Sequence, residues 1–222
     1  MINIQEIKSA SHTLFVTDNS SFANTSALYS YALTLHKKVS IHTTEKIEQK
    51  LSFLPWFDKS RMKAPSSAEF IVEVESNTVA LYEFFKQESI KINKKMATAL
   101  YAGLIQEYDA FQSKECNGTI FAIASELVTL GAEYKECSRY MVNSLSLASF
   151  RLKSLLYKSM QLKDEAKVAL LLISDEDLKA SGAEIVDAYK TMKEVLKMVN
   201  VEEVRLLKKD ENNKILKIIK DN

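Results

Sequence analysis

Glycine and proline are scarce in this chain of 222 residues, which contains four glycines and two prolines. Gly103, Gly118, Gly131 and Gly182 are all isolated, and the patterns GxGxxG and GxxxxGK[ST] do not occur. Loops that bind dinucleotides or phosphates need glycine because the backbone must approach the phosphate closely. The sequence therefore argues against a Rossmann dinucleotide site and against a P-loop.

The chain also contains few cysteines and histidines, and its net charge is close to zero. Cys116 and Cys137 lie outside any CxxC pair, and His12, His36 and His42 do not stand at zinc-ligand spacing. Two isolated cysteines are typical of reduced thiols in a cytosolic protein. With 30 basic and 29 acidic side chains, the formal net charge is +1, so there is no overall basic field to attract nucleic acid.

Long hydrophobic runs are also absent. No stretch reaches the roughly 18 apolar residues that a membrane-spanning helix needs. The start of the chain, "MINIQEIKSASHTLFV", lacks the basic segment and apolar run of a signal peptide. We therefore expect a cytoplasmic protein without a membrane partner.

The patterns that are present predict a protein of the α/β class. Buried strands are predicted for residues 12–18, 38–43 and 68–76, with helices at 5–11 and 19–38 and a short helix within 45–57. This order favours a parallel sheet with flanking helices. A helical middle section follows, in which the apolar period of 3.6 residues predicts helices at 78–89, 93–108, 117–131 and 133–160, the last as one helix or two.

The C-terminal part returns to an α/β pattern. It predicts a strand at 166–174, a helix at 175–200 that is broken near Gly182, and a hairpin that turns at "DENN". These segments form a second, smaller α/β domain.

The stretch "LYAGLIQEYDAF", Leu100 to Phe111, raises the main functional question. Glu107 and Asp109 flank Tyr108 where an apolar helix ends. The two acids are either part of a metal-binding turn or the solvated polar end of the helix. We favour the helix end, for reasons that a family resemblance supplies.

The order of segments resembles the DHH family of phosphoesterases, in the branch of nano-RNases (oligoribonucleases) and phosphoadenosine phosphatases. The match is most specific in "INKKMATALYAGLIQEYDAF" and in "NGTIFAIASELVTLGAEYKECSRYMVNSLSLASFRLKSLL". "LFVTDNSS" and "AKVALLLISDEDL" resemble the first strands of its two domains. The resemblance implies a degenerate DHH-like domain at 1–145, a linker helix at 146–163 and a truncated DHH-associated domain at 164–222.

Members of this family use two divalent metals, usually manganese, to hydrolyse phosphodiesters. Their first ligand loop resembles HxxxDxD. When this family loop is aligned with residues 18–24, Asp18 stands at the position of the family's histidine, and Phe22 and Asn24 stand at the positions of its two aspartates. The aspartate that ends the third strand falls on Glu75, or on Glu73, and the defining Asp-His-His triplet is absent.

The family turn "tDTgsF" lies over "QEYDAF" and places its aspartate at Glu107. The remnant site positions are therefore Asp18, Asn24, Glu75 and Glu107. No confident catalytic residue, bound metal or cofactor is expected, because the histidines are missing and Phe22 cannot bind a metal.

The sequence thus predicts a DHH phosphoesterase-like protein that has lost catalysis and acts as a binding or regulatory paralogue. One alternative is a manganese-dependent phosphoesterase for short oligoribonucleotides or nucleotide phosphates, with a single metal on Asp18, Glu75 and Glu107. Another is a non-catalytic binder of RNA or nucleotides. The expected partner is a second copy or another protein, and the aromatic residues of "FLPWF" and "YEFF" place a homodimer interface on the N-terminal domain.

Overall fold

The computed structural model describes residues 4–65, 67–142 and 145–220. These residues divide into two compact units, with the boundary between residues 144 and 145. Each unit contains its own four-stranded sheet and its own hydrophobic core. Along the described part of the chain, none of the helices is both long and apolar enough to cross a bilayer.

The sheet of the first unit is entirely parallel, as predicted. Its strand order is β3-β2-β1-β4, and its strands are β1 (His12–Thr17), β2 (Lys38–Thr43), β3 (Ser60–Arg61) and β4 (Phe70–Glu73). The sequence pattern does not predict the two-residue strand β3. Because all strands of this sheet are parallel, the loop that follows β1 lies at the carboxyl edge of the sheet. This edge is where α/β proteins commonly place functional residues.

The helices of this unit agree with the predicted ones to within a few residues, apart from the short helix predicted within 45–57 and the segment predicted at 133–160. That segment is divided into a helix at Tyr134–Cys137, a π-helical turn at Ser138–Val142 and a separate helix at Leu147–Ser159 in the second unit. The α-helices of the first unit are α1 (Ile4–Ser9), α2 (Phe22–Thr34), α3 (Thr78–Gln87), α4 (Lys94–Glu107), α5 (Gly118–Thr129) and α6 (Tyr134–Cys137). Within 45–57 there is no α-helix. Instead, 3-10 turns lie at Gln49–Leu51 and Phe57–Lys59, and Pro55 and the left-handed Trp56 separate them.

Helices α2 and α4 pack together in the centre of this core. Eleven of the thirteen residues of α2 are buried, and α4 is buried from Met96 to Leu100 and from Ala102 to Ile105. A helix that is apolar around most of its surface needs packing on several sides, which explains the weak amphipathic pattern of both. Several small residues allow the two helices to approach closely, and this approach positions the candidate site.

The second unit is a smaller α/β domain, also as predicted. Its strand order is β5-β6-β7-β8, with β5 (Gln161–Lys163), β6 (Val168–Ile173), β7 (Glu203–Lys208) and β8 (Lys214–Lys220). Strands β6 and β7 are parallel, the two outer pairings are antiparallel, and β7–β8 is the predicted hairpin. The pattern does not predict strand β5, because its side chains are exposed and mostly polar.

The described part of this unit also contains three α-helices, α7 (Leu147–Ser159), α8 (Asp175–Ser181) and α9 (Ile185–Val195), and a 3-10 turn at Lys209–Glu211. Gly182 ends α8 in the left-handed conformation, with φ +71°, so the predicted helix at 175–200 consists of two helices. The resemblance implies that residues 146–163 form a linker helix. In the structure α7 lies within the second unit, because Leu152 and Leu156 are buried in its core.

Candidate functional site

The loop after β1 is held by the carboxylate of Asp18. Its Oδ1 accepts hydrogen bonds from the backbone N–H of Ser20 and Ser21, both at 2.9 Å, and from their hydroxyls, at 2.7 and 2.9 Å. Burial raises the pKa of Asp18, but these hydrogen bonds lower it more, so its pKa lies below the ordinary value. Asp18 is therefore an anion whose Oδ1 already organises its own loop.

Asn19 joins this loop to two other segments. Its Nδ2 donates to Glu45 Oε1 at 2.8 Å, and its Oδ1 accepts from the backbone N–H of Glu48 at 2.7 Å. Its carbonyl oxygen accepts from Gln106 Nε2, near the end of α4, at 2.8 Å. Gln106 Oε1 is buried and has no partner in the described residues. The loop is thus fixed from the β2 side and from α4.

Phe22 occupies one of the positions at which the resemblance places a metal-binding aspartate. The side chain is fully buried and packs edge to face on Phe57, with the ring centroids 6.0 Å apart. An aromatic ring in this place contributes apolar packing and no ligand atom. The structure therefore uses this position for the core.

Asn24, Thr78 and Glu107 form a hydrogen-bonded network below the loop. Asn24 Nδ2 donates to the carbonyl oxygen of Glu75 at 2.9 Å, and Asn24 Oδ1 lies 2.9 Å from Thr78 Oγ1. Glu107 Oε1 lies 2.6 Å from Thr78 Oγ1 and accepts from the Thr78 backbone N–H at 2.6 Å. Asn24 and Thr78 are buried. The network thus joins α2, α3, α4 and the segment after β4.

The hydrogen bonds of this network accommodate a proton on Glu107. The Thr78 hydroxyl has one hydrogen but lies within hydrogen-bond distance of two oxygens, Asn24 Oδ1 and Glu107 Oε1. If the Glu107 carboxyl is protonated and donates to Thr78, then Thr78 donates to Asn24 and every group has a partner. Burial raises the pKa of Glu107, more than the hydrogen bonds from Thr78 and Asn24 lower it, which favours the same protonated state.

Gly103 allows α4 to approach this network. A Cβ atom at this position would lie 2.3 Å from Thr78 Oγ1 and 3.1 Å from Asn24 Oδ1. Both distances are too short for an ordinary van der Waals contact with carbon. The glycine is therefore required by the close packing of α4 on α3 and α2, and its φ is not in the left-handed region.

The two acids of "QEYD" have different environments. Asp109 is exposed and begins three consecutive left-handed residues, Asp109, Ala110 and Phe111, with φ of 45°, 55° and 65°. The Phe111 ring packs on Tyr101 and Phe121 and fixes this turn. Glu107 is half-buried and bonded to Thr78, so the prediction of two solvated acids is wrong for Glu107.

These residues do not fit a two-metal centre. Within residues 4–65, 67–142 and 145–220, no three His, Cys, Asp or Glu side chains form a group that could hold a metal ion. The structure brings together Asn24, the Glu75 carbonyl oxygen and Glu107. The Glu75 side chain is exposed, and the Asp18 carboxylate accepts hydrogen bonds from its own loop. Manganese needs an oxygen-rich cluster of several anions, and this network supplies a neutral amide, a hydroxyl and one carboxyl group whose pKa is raised by burial.

Sequence reasoning identifies Asn24 and Glu107 but misses the residue that connects them. Thr78 is 54 residues from Asn24 and 29 from Glu107, and in the sequence it is only the first residue of a predicted helix. Gly103 stands out in the sequence as an isolated glycine in a buried helix. That isolation is the one sequence signal of close packing at this site.

Replacing Glu107 by glutamine tests its protonation. The folded-state pKa of Glu107 is raised, so the protonated side chain stabilises the folded protein. This stabilisation is fully present below the ordinary glutamate pKa and is lost as pH rises through the raised folded-state value. The amide oxygen cannot donate to Thr78, so Glu107→Gln is expected to lower the free energy of unfolding by about 1 kcal/mol at acid pH. This difference should shrink towards pH 7.5.

Urea unfolding of both proteins between pH 4.5 and 7.5 measures this difference. Glu115→Gln, a change at an exposed carboxylate of the loop after α4, is the matched control and should show no such trend. A difference for Glu107→Gln that stays constant over this pH range, or grows with pH, would mean that Glu107 is ionised in the folded protein.

Comparisons with known proteins identify the fold. No protein-family model matches the sequence, and no curated protein matches it. The structure is similar to an exopolyphosphatase-related protein from Bacteroides fragilis, with a TM-score of 0.72 and 14% identity over 96% of this chain and 79% of that chain. This likeness shows the fold alone, which is a mixed α/β fold with a parallel sheet flanked by helices and a second sheet.

Two other solved structures match less well. They are a putative family II inorganic pyrophosphatase from Methanococcus jannaschii (TM-score 0.39, 12% identity, 89% of this chain and 83% of that chain) and the exonuclease RecJ bound to manganese (TM-score 0.32, 11% identity, 89% and 75%). Scores this low carry no argument about this chain. The nano-RNase and phosphoadenosine phosphatase branch stays a prediction.

Proposed function

We propose that this protein is a non-catalytic member of the DHH-type phosphoesterases and acts as a binding or regulatory protein. The observation that supports this proposal is the Asn24–Thr78–Glu107 network. It occupies two of the positions that the resemblance assigns to metal ligands, and its hydrogen bonds join helices of the core. The same residues thus serve the stability of the fold.

The energetics of this network oppose metal binding. To become a ligand through Oε1, Glu107 would have to give up its bonds to Thr78, which would leave the Thr78 N–H at the start of α3 without its acceptor. Buried donors and acceptors without partners cost about 1–3 kcal/mol each. Asp18 would likewise have to give up hydrogen bonds from Ser20 and Ser21. A metal would therefore have to disrupt two organised segments.

The available charge is also too small for the reaction. Phosphodiester hydrolysis by two metals requires ligands that hold the ions about 3.5–4 Å apart and activate a water molecule. In this site the pKa of the Asp18 carboxyl is lowered by its hydrogen bonds, whereas burial raises the pKa of Glu107 and so disfavours its charged form. Two carboxyl groups that are already hydrogen-bonded within the fold supply too little negative charge for two divalent ions.

Hydrolysis assays test the proposal. The purified protein, with manganese added, is incubated with short oligoribonucleotides and separately with 3′-phosphoadenosine 5′-phosphate. We expect no product above the buffer background. Turnover that is abolished by both Asp18→Ala and Glu107→Ala, but kept in the control Glu115→Gln, would establish the alternative of an active phosphoesterase.

A further inference from the structure

Strand β4 leaves one edge of the first sheet open. Its partner strand is β1 on one side, and on the other side no strand of the described chain pairs with it. Beside it lies a hollow of about 390 Å³ between the strand and α3, with apolar walls that include Phe70, Leu81 and Phe84. Ile71, on the strand itself, is 58% exposed. An open edge with an exposed aliphatic residue is a template for strand pairing.

The charge of this edge is acidic. The side chains of Glu73 and Glu75 are exposed, line the hollow, and have no ion pair with any residue that the structure describes. Natural edge strands are commonly protected by lysine, proline or a bulge. Residues Phe70–Glu73 contain neither lysine nor proline. The β4 edge is therefore short, aliphatic at Ile71 and acidic, and it carries neither lysine nor proline.

Strand β8 forms an open edge of the opposite charge in the second unit. Its sequence is KILKIIK, and it pairs with β7 on one side. Ile215 and Ile218 are 49% and 43% exposed. Lys214 forms a surface ion pair with Glu211, Lys220 forms one with Glu203, and the Lys217 ammonium lies over the Tyr189 ring. Exposed ion pairs of this kind are weak and can be exchanged.

The two edges are complementary to each other and not to themselves. Two β4 edges would bring Glu73 and Glu75 against the same acids, and two β8 edges would bring lysines together. Like charges directly across a strand pair are destabilising, whereas opposite charges and aliphatic pairs are favourable. Electrostatics thus selects the mixed pairing over either symmetric one.

We propose that strand β4 of one copy of this protein pairs with strand β8 of a second copy. Ile71 would then lie against an exposed isoleucine of β8, and the carboxylates of Glu73 and Glu75 would lie beside the lysine-bearing strand. This inference goes beyond the proposed function and does not depend on the loss of catalysis. It also differs from the sequence-based expectation, which places a homodimer interface on the N-terminal domain alone.

Light scattering coupled to size-exclusion chromatography tests the proposal. The full chain at tens of micromolar should show a mass above the 25.2 kDa of one chain. The association should weaken as salt rises, because the pairing includes exposed charges. A strict monomer at low and at physiological salt overturns the proposal.

Variants with reversed charges on β4 or on β8 test where the two copies meet. Glu73→Lys with Glu75→Lys should weaken the association at least tenfold, as should Lys214→Glu with Lys217→Glu. Equal mixing of these two variants should restore association, because each supplies the edge that complements the other. Glu115→Lys, on an exposed loop, is the control and should associate like the unchanged protein.

Two results would contradict this placement. If both double variants associate as strongly as the unchanged protein, the contact lies elsewhere on the chain. Loss of association in both variants without recovery on mixing would show that the two edges do not meet each other. Circular dichroism of each variant checks that these exposed changes leave the fold intact.

Discussion

Replacing Asn24 by aspartate is expected to lower the free energy of unfolding by about 3 kcal/mol or more at pH 8, although the two side chains have nearly the same shape. The reason is the loss of Nδ2, which donates to the Glu75 carbonyl at 2.9 Å. A carboxylate would place an acceptor against that carbonyl and a buried charge on the Thr78 hydroxyl, close to Glu107.

The pH dependence of this loss has a defined sign. Burial raises the pKa of the introduced carboxyl group, so the cost is largest where that group is ionised and declines as pH falls through its folded-state value. Chemical unfolding at pH 8 and at pH 4.5 should therefore give a smaller loss at the lower pH. The matched control is Asn117→Asp at the exposed N-cap of α5, where aspartate is as good a cap as asparagine. Equal losses in the two variants would refute the network.

Replacing Gly103 by alanine is expected to lower the free energy of unfolding by about 2–3 kcal/mol. The added Cβ would lie 2.3 Å from Thr78 Oγ1 and 3.0 Å from Thr78 Cγ2, in a part of the core where the neighbours are themselves buried. Either α4 moves away from α2 and α3, or the Thr78 hydroxyl leaves its two partners. Both responses cost packing or hydrogen bonds.

Gly118→Ala provides the matched control for this substitution. Gly118 is the first residue of α5, and apart from its chain neighbours and the backbone of its own helix no atom would lie within 4 Å of a methyl group added there. Alanine is the better helix former, so this variant should be as stable as the unchanged protein or more stable by up to about 1 kcal/mol. Thermal and urea unfolding measure both variants. Tolerance of alanine at residue 103 would mean that α4 does not approach Thr78 this closely.

The fold is predictable from the sequence where apolar runs are long and continuous. Strand β1 and the helices α2 and α4 carry such runs because they are buried along most of their length. Strands β2 and β4 are partly exposed and are recognised by their β-branched and aromatic residues instead. The segments for which prediction fails lack this signal. Strand β3 has two residues, strand β5 is exposed and mostly polar, and the helix predicted within 45–57 is interrupted at Pro55.

The candidate site is predictable only in part. The resemblance singles out Asn24 and Glu107, and their side chains do meet the same hydroxyl. Their connection depends on Thr78 and on the absence of a side chain at Gly103, and both are contacts between segments far apart in the chain. Hydropathy patterns report which residues are buried, but they do not report which polar groups become partners.

A calorimetric titration of the purified protein with manganese at pH 7.5 tests the loss of the metal site most directly. We expect only the heat of dilution, both for the unchanged chain and for Glu107→Gln, because Asp18 and Glu107 are committed to hydrogen bonds within the fold. Saturable binding of one or two ions that disappears in Asp18→Ala and in Glu107→Gln would contradict the proposal and restore the interpretation as a metal-dependent phosphoesterase.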